Sequence, residues 1–159
     1  MPDGRVARIV SGGQTGADRA ALDVALELGI DSGGWCPAGG WAEDQPEPPG
    51  LLALYPNLVA TPQADPAVRT RLNVRDSDAT LVVWDGAVPS PGTRRTIDIA
   101  LELGRPLLVT VGDVAEVDAW LAGLPELPTG IVLNVAGPRE SGCPGTYERT
   151  AELLRAALA

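Results

Sequence analysis

The residues with chemistry to offer lie in four glycine-rich segments: SGGQTGAD (11–18), GGWCPAGGWAED (33–44), PSPGTRRT (89–96) and AGPRESGCPGT (136–146). Each follows a short apolar run and leads toward a helix-like or polar stretch. Main-chain N–H groups unshielded by side chains at a strand-to-helix junction are receptors for phosphate or a similar oxyanion. In the first segment, Gly12 and Gly13 allow a tight turn, Gln14 and Thr15 offer side-chain hydrogen bonds, and Gly16 admits close approach of a ligand. The segment is neither G-x-G-x-x-G nor the G-K-[ST] of a Walker loop, and a plain tight turn is the competing reading. In the third, Gly92 and Thr93 would meet an anion through N–H and hydroxyl. Arg94 and Arg95 add charge there or are solvated, and Thr96, one turn on, could face the cleft.

The remaining candidates are less specific. Arg139 could clamp an oxyanion through two parallel bonds, or pair with Glu140 or another carboxylate. Cys36 and Cys143 could ligate a soft metal or serve as small hydrophobes, and the second is the better reading for each. Glu43 and Asp44 could hold Mg²⁺, do acid–base work, or form a solvated acidic loop. Trp35 and Trp41 beside them could stack on a planar heterocycle or anchor a flap. Arg69 and Asn73, at i and i+4, share a helix face that completes the pocket or caps a neighbouring strand. Together these residues read as a binding site for a small anionic ligand, a phosphorylated nucleotide-like or pterin-like molecule.

Composition narrows the chemistry. The chain has 159 residues, 45% of them hydrophobic, which suits a single domain over 1–159. The formal net charge is −9, a poor match for nucleic acid or an anionic membrane. All 12 basic residues are arginine and histidine is absent. A P-loop lysine, a Schiff base, histidine-dependent triads and histidine metal sites are therefore excluded. No apolar run approaches a membrane span. MPDGRVARIV lacks the charged-then-apolar design of a signal peptide, and two cysteines make no disulfide framework. A soluble cytoplasmic protein is expected.

The elements that must position these residues follow from apolar runs and punctuation. Strands are expected at 8–11, 30–35, 58–61, 79–84, 106–111 and 131–135, with 79–84 and 106–111 buried. Helices are expected after the first glycine loop, then at 66–75, 93–103, 114–122 and 147–159. Thr15 is the expected N-cap of the first helix, with Asp18 completing a capping box, and Gly29 its stop. Residues 37–50 read as a loop, the one candidate flap. Strands alternating with helices need parallel crossovers. The fold class is α/β, a single doubly wound, mostly parallel Rossmann-like sheet of five or six strands flanked by helices. Trp41 and Trp120 are candidate interface residues of a homo-oligomer.

Taken in chain order, GGQTGADRAALD, GGWCPAG with AED, RT..NV.DSDATL and NVAGPRES..PG resemble the molybdenum-cofactor carrier family. That family belongs to a Rossmann-like superfamily with YpsA-type proteins and the Lonely Guy phosphoribohydrolases. The motifs run from Ile9 to Tyr147. The resemblance implies that the chain binds, stores or protects molybdenum cofactor (molybdopterin), a phosphorylated pterin with a dithiolene-held metal. It implies ligand-binding roles for Gly12, Gly13, Gln14, Thr15, Gly16 and Asp18, for Gly92, Thr93 and Thr96, and for Asn134, Gly137, Pro138, Arg139, Glu140 and Ser141. No catalytic residue and no metal-ligating side chain is assigned. The chain departs from the family pattern at Gly40, where an arginine is usual, at Gln45, where a glycine is usual, and at Pro91, where a glycine is common. Thr96 stands where a phosphoribohydrolase would carry its catalytic glutamate.

Two other readings stay open. One is a hydrolase cleaving the N-glycosidic bond of nucleoside monophosphates, with Glu43, Asp44 or Glu140 as acid–base candidates. The other is a nucleotide sensor without turnover.

Overall fold

The computed structural model describes residues 5–159. The first four residues of the stretch compared with a signal peptide, and of the expected 1–159 domain, lie outside it. Six strands alternate with helices: β1 (Val6–Val10), α1 (Ala17–Leu28), β2 (Asp31–Cys36), α2 (Leu51–Leu54), β3 (Leu58–Ala60), α3 (Pro66–Arg75), β4 (Ala79–Val83), α4 (Pro91–Glu102), β5 (Leu107–Thr110), α5 (Val114–Gly123), β6 (Ile131–Ala136) and α6 (Thr146–Leu158). They form one sheet in the order β3-β2-β1-β6-β4-β5, with every neighbouring pair parallel. The chain is an α/β, Rossmann-like domain.

The order explains where a ligand can sit. The chain runs outward from β1 through β2 to β3, crosses to β4 and β5, and returns to lay β6 between β1 and β4. Its direction of travel thus reverses between β1 and β4, and the loops leaving β1, β6 and β4 emerge together at the carboxyl edge. That crevice is where open α/β sheets bind ligands.

Sequence explains the layers. ATLVV of β4 is buried at every position, as a strand covered on both faces must be. On one face, Ile9, Leu81, Leu133 and Val135 pack against Ala21 and Val24 of α1, Val117 of α5 and Leu153 and Leu154 of α6. On the other, Val74 of α3 meets Ile99 and Ala100 of α4, and Val82 and Trp84 meet Ile97. A smaller cluster of Leu22, Cys36, Ala42, Leu51 and Leu58 seats the 37–50 segment. α1 stops at Gly29, whose left-handed backbone turns its N–H to the Ala25 and Leu26 carbonyls. α3 starts with Pro66 in its first turn and the Asp65 carboxylate on the Ala67 amide.

Several expectations need correction. The N-cap of α1 is Gly16, and no side chain caps that helix. The Thr15 hydroxyl is taken instead by tertiary partners, which outcompete a local capping box. β5 is an edge strand with Val109 exposed, not a buried one, because nothing pairs beyond it in the sheet order. The 37–50 loop contains a 3₁₀ turn at Ala38–Gly40, and α2 follows it, a single turn too short to show helical periodicity. Trp120 is partly buried against the main core, whereas Trp41 is 38% exposed. No helix among the described residues is long and apolar enough to cross a membrane.

Candidate functional site

A cleft of about 540 Å³ opens at the carboxyl edge of β1, β6 and β4. Gln14 and Asp18 reach it from the β1–α1 segment, Gly92, Thr93, Arg95 and Thr96 from the start of α4, and Gly137, Arg139 and Ser141 from the loop after β6. Arg69 and Thr70 of α3 and Trp41 of the flap complete the wall. A hollow of about 470 Å³ lies at the opposite edge, lined by Arg5 and Glu126–Ile131. Its one cation is already bonded to the carbonyls of Leu121, Ala122 and Leu124, and no strand-to-helix loop opens there. The first cleft carries the chemistry.

The two phosphate-type turns differ in what they leave available. In the β1–α1 loop, the Gly13 amide donates to Ser11 Oγ, the Thr15 amide to Gln14 Oε1 and the Ala17 amide to the Pro138 carbonyl. These three donors are satisfied within the protein, so this loop has fewer open amides than its glycines suggest. α4 is different. Pro91 occupies its first turn and Ser90 makes no side-chain cap. The Gly92 and Thr93 amides belong to a first turn whose N–H groups have no intrahelical acceptor. A Cβ at Gly92 would meet nothing within 4 Å, so the backbone there is open to an approaching oxyanion. The Thr93 hydroxyl is 2.6 Å from Ser90 Oγ, and Thr96 Oγ1 donates to the Gly92 carbonyl at 3.1 Å.

Three guanidinium groups line the cleft, those of Arg69, Arg95 and Arg139. The neighbouring Arg94 turns away and lies over the Trp84 ring, 5.0 Å from its centre. Arg139 Nη1 is 3.9 Å from Glu43 Oε1. Arg69 Nη1 is 3.3 Å from Asp18 Oδ2. Asp18 is 3% exposed. Burial pushes its carboxyl above the usual carboxylate range, and Arg69 pulls only part of the way back.

The flap is fastened over this wall. The Glu43 carboxylate accepts from the hydroxyls of Thr15 and Ser141, and its amide donates to Gln14 Oε1. Burial acts to raise the Glu43 carboxyl, but the bonds from Ser141 and Thr15 outweigh it and leave it below the ordinary value. Asp44 receives a two-pronged bond from Arg19 at 2.8 and 2.9 Å, which holds its carboxyl low as well. Arg19 Nε also donates to the Gly13 carbonyl.

A search of family models matches residues 9–158 to the circularly permutated YpsA SLOG family. This chain belongs to that family. Among solved structures, it is similar to one described as a putative molybdenum carrier protein from Syntrophus aciditrophicus SB. The two are 36% identical over 99% of this chain and 97% of the other, with a TM-score of 0.84. No curated protein sequence matches.

Within this YpsA-type fold, some sequence-predicted residues support the cleft without lining it. Gly12 lies beneath Arg69, where a Cβ would fall 1.8 Å from Nη1. Gly13 packs on Leu51 and Leu58. Gly16, at φ 81°, is pressed against the Pro138 carbonyl, where a Cβ would lie 2.3 Å away. The Glu140 carboxylate accepts from the amides of Gly145 and Tyr147, at the start of α6. Asn134 lies inside the sheet, 3.3 Å from Thr80 Oγ1. Asn73 straps α3 to β2 through both Trp35 backbone groups, and Trp35 bonds Asp76 rather than flanking Glu43. Both cysteines are buried; neither lines the cleft. Among the described residues, no group of three or more Cys, Asp and Glu side chains could hold a metal ion.

One residue escaped the sequence reading of the site, and another was read as one of two alternatives. Arg69 was expected, with Asn73, either to complete the pocket or to cap a strand; it lines the cleft, although nothing in the spacing says that α3 crosses the carboxyl edge. Arg19 sits inside GADRA with no local signal; its role depends on the flap folding back 25 residues later.

Proposed function

We propose that this protein is a carrier that holds a phosphorylated pterin-type molecule, molybdenum cofactor, in the cleft between β1, β6 and β4. One observation carries the reading: an open helix N-terminus and three guanidinium groups converge at the topological switch point of a chain whose net charge is −9. Local cations and a helix terminus act at short range, so they attract an anion despite the overall charge. The oxyanion would sit on the Gly92 and Thr93 amides, facing Arg95, Arg69 and Arg139. Trp41, at the rim, offers a face for a planar ring. The similarity to the Syntrophus protein supports the choice of cargo.

The donor set fits a cargo that brings its own metal ligands. The cleft supplies N–H and guanidinium donors, suited to phosphate and oxo groups, while both thiols are buried and neither lines it. Glu43, Asp44 and Glu140, the sequence candidates for a hydrolase's acid and base, are each turned to protein partners, and Asp18, the carboxylate that lines the cleft, is paired with Arg69. The carrier reading is therefore preferred to the enzyme.

Calorimetry with molybdenum cofactor, and with molybdate as a minimal oxyanion, tests the proposal. Saturable one-to-one heat with the cofactor is expected. Absence of heat and of thermal stabilisation with both ligands contradicts it. Release of free base from any member of a nucleotide panel would replace the carrier with the hydrolase, and nucleotide binding without release would replace it with a sensor.

A further inference from the structure

We infer that Arg69 and Asp18 form an exchange pair: an oxyanion entering the cleft takes the Arg69 guanidinium from the Asp18 carboxylate. This rests on the anion-binding reading above and adds the group that regulates it. Three observations carry it.

The first is position. The Arg69 guanidinium lies on the β1–α1 loop at Gly12, where any side chain would collide with it. Arg69 and Asp18 both line the cleft. The second is the state of the bond. Arg69 meets Asp18 through Nη1 alone at 3.3 Å, at the long end for a charged pair and without the parallel geometry that arginine makes with a carboxylate. The third is an orphan. Arg69 Nε is buried with no hydrogen-bond partner. A buried donor left unmade is a standing cost, removed once an acceptor reaches it. A tetrahedral oxyanion can take Nε–H and an Nη–H together after a small rotation of the guanidinium, as a fork grips phosphate. The Asp18 carboxylate then loses its nearest cation while remaining buried beside the new negative charge.

The surroundings fix the sign of the effect. Asp18 faces Arg69 from α3, Arg19 from its own helix and the Gln14 backbone. Arg69 also faces the buried thiol of Cys36 on β2. Arg95 and Arg139 enter the same cleft, and Glu43 stands beside Arg139. Of these, only Asp18 is both a carboxylate and held above its ordinary range. Protonating it frees Arg69 and removes the charge that opposes an anion, so capture strengthens as the medium becomes more acid.

The test is equilibrium binding of sulfate to the full chain at about pH 8 and about pH 5.5; sulfate stays dianionic across this window, so any change belongs to the protein. Wild-type affinity should rise severalfold at the lower pH. Asp18→Asn should bind at least as well at about pH 8 as wild type does at about pH 5.5, and show no pH trend. Arg69→Gln should lose about tenfold or more at both values, and Arg69→Lys, which keeps the charge without the fork, should fall between. Folding of each variant is checked by circular dichroism, and the arginine pair decides the matter should Asp18→Asn not fold. A folded Arg69→Gln that keeps wild-type affinity and pH trend overturns the exchange pair and leaves the anion cleft standing on α4. Wild-type protein that binds no sulfate at either pH overturns both.

Discussion

The hydroxyl of Thr15 donates to the carboxylate of Glu43, 28 residues further along the chain. The same hydroxyl accepts from the Glu140 amide at 3.1 Å, and Glu43 also receives the Ser141 hydroxyl. One threonine thus joins the β1–α1 loop, the flap and the loop after β6. Glu43→Ala should raise hydrogen exchange across residues 37–50 while leaving β4 protected. The expected loss of stability is about 1.5–3 kcal/mol, the scale of hydrogen bonds to a charged group. Exchange unchanged in the flap would show that the Arg19–Asp44 bond and the apolar seat on Leu51 and Leu58 hold it without Glu43.

Acid should loosen the same flap. Glu43 and Asp44 both lie below their ordinary values in the folded protein. Their contribution is present above the unfolded carboxylate range and is lost as pH falls through the depressed folded values. Denaturation free energy should therefore decline below about pH 4. A Glu43→Gln, Asp44→Asn double variant should decline less over that window; an identical decline would place the acid sensitivity elsewhere.

Gly16 and Gly92 are predicted to respond in opposite ways to the same methyl. At Gly16 the backbone has φ 81° and the Pro138 carbonyl would lie 2.3 Å from the new carbon. Gly16→Ala should cost more than about 1 kcal/mol, since both the dihedral and the contact oppose it. At Gly92 there is open space. Gly92→Ala should leave stability unchanged or raise it by up to about 1 kcal/mol, as alanine favours helix, while weakening oxyanion binding at the α4 amides. Thermal melts with and without sulfate separate these outcomes, and full sulfate affinity in Gly92→Ala would deny that the anion approaches this backbone.

Alkaline titration gives a check on how α2 and α6 are tied to α1. Tyr55 and Tyr147, the chain's two tyrosines, each donate to Asp23 at 2.5 Å. Burial, aided by that carboxylate, pushes Tyr147 up to about 12 and Tyr55 higher still. Tyrosinate absorbance should show no ionisation near the ordinary value of about 10. The matching stability is fully present below that value and fades as pH rises through about 12. Asp23→Asn should bring both tyrosines down; an ordinary titration in wild type would refute the shared carboxylate.

Much of this arrangement was legible in the chain, for reasons that can be named. ATLVVW announced a strand buried on both faces, Gly29 ended α1 as its backbone freedom predicts, and Pro66–Arg75 became a helix with the bounds its punctuation gave. The cleft was legible as glycine turns following strands. What could not be read was which turn keeps its amides open. SGGQTGAD looks the more receptive, yet three of its amides, those of Gly13, Thr15 and Ala17, are spent on Ser11, Gln14 and Pro138, partners set by the local turn and by a loop more than 100 residues away. PSPGTRRT looks compromised by Pro91, yet proline at a helix start removes a donor that has no partner anyway. Arg69 was readable from its i, i+4 pairing with Asn73 as either pocket wall or strand cap; the crossing of α3 over the sheet edge, which no local pattern encodes, decided for the wall.

The central claim is that an oxyanion rests on the α4 N-terminus among Arg69, Arg95 and Arg139. Crystals of the protein soaked with tungstate, a heavy oxyanion located by its anomalous scattering, address it most directly. The account predicts a peak within hydrogen-bond reach of the Gly92 or Thr93 amide and of at least one of those guanidinium groups. A fully occupied peak in the hollow lined by Arg5 and Glu126–Ile131, with none in the cleft, would contradict it.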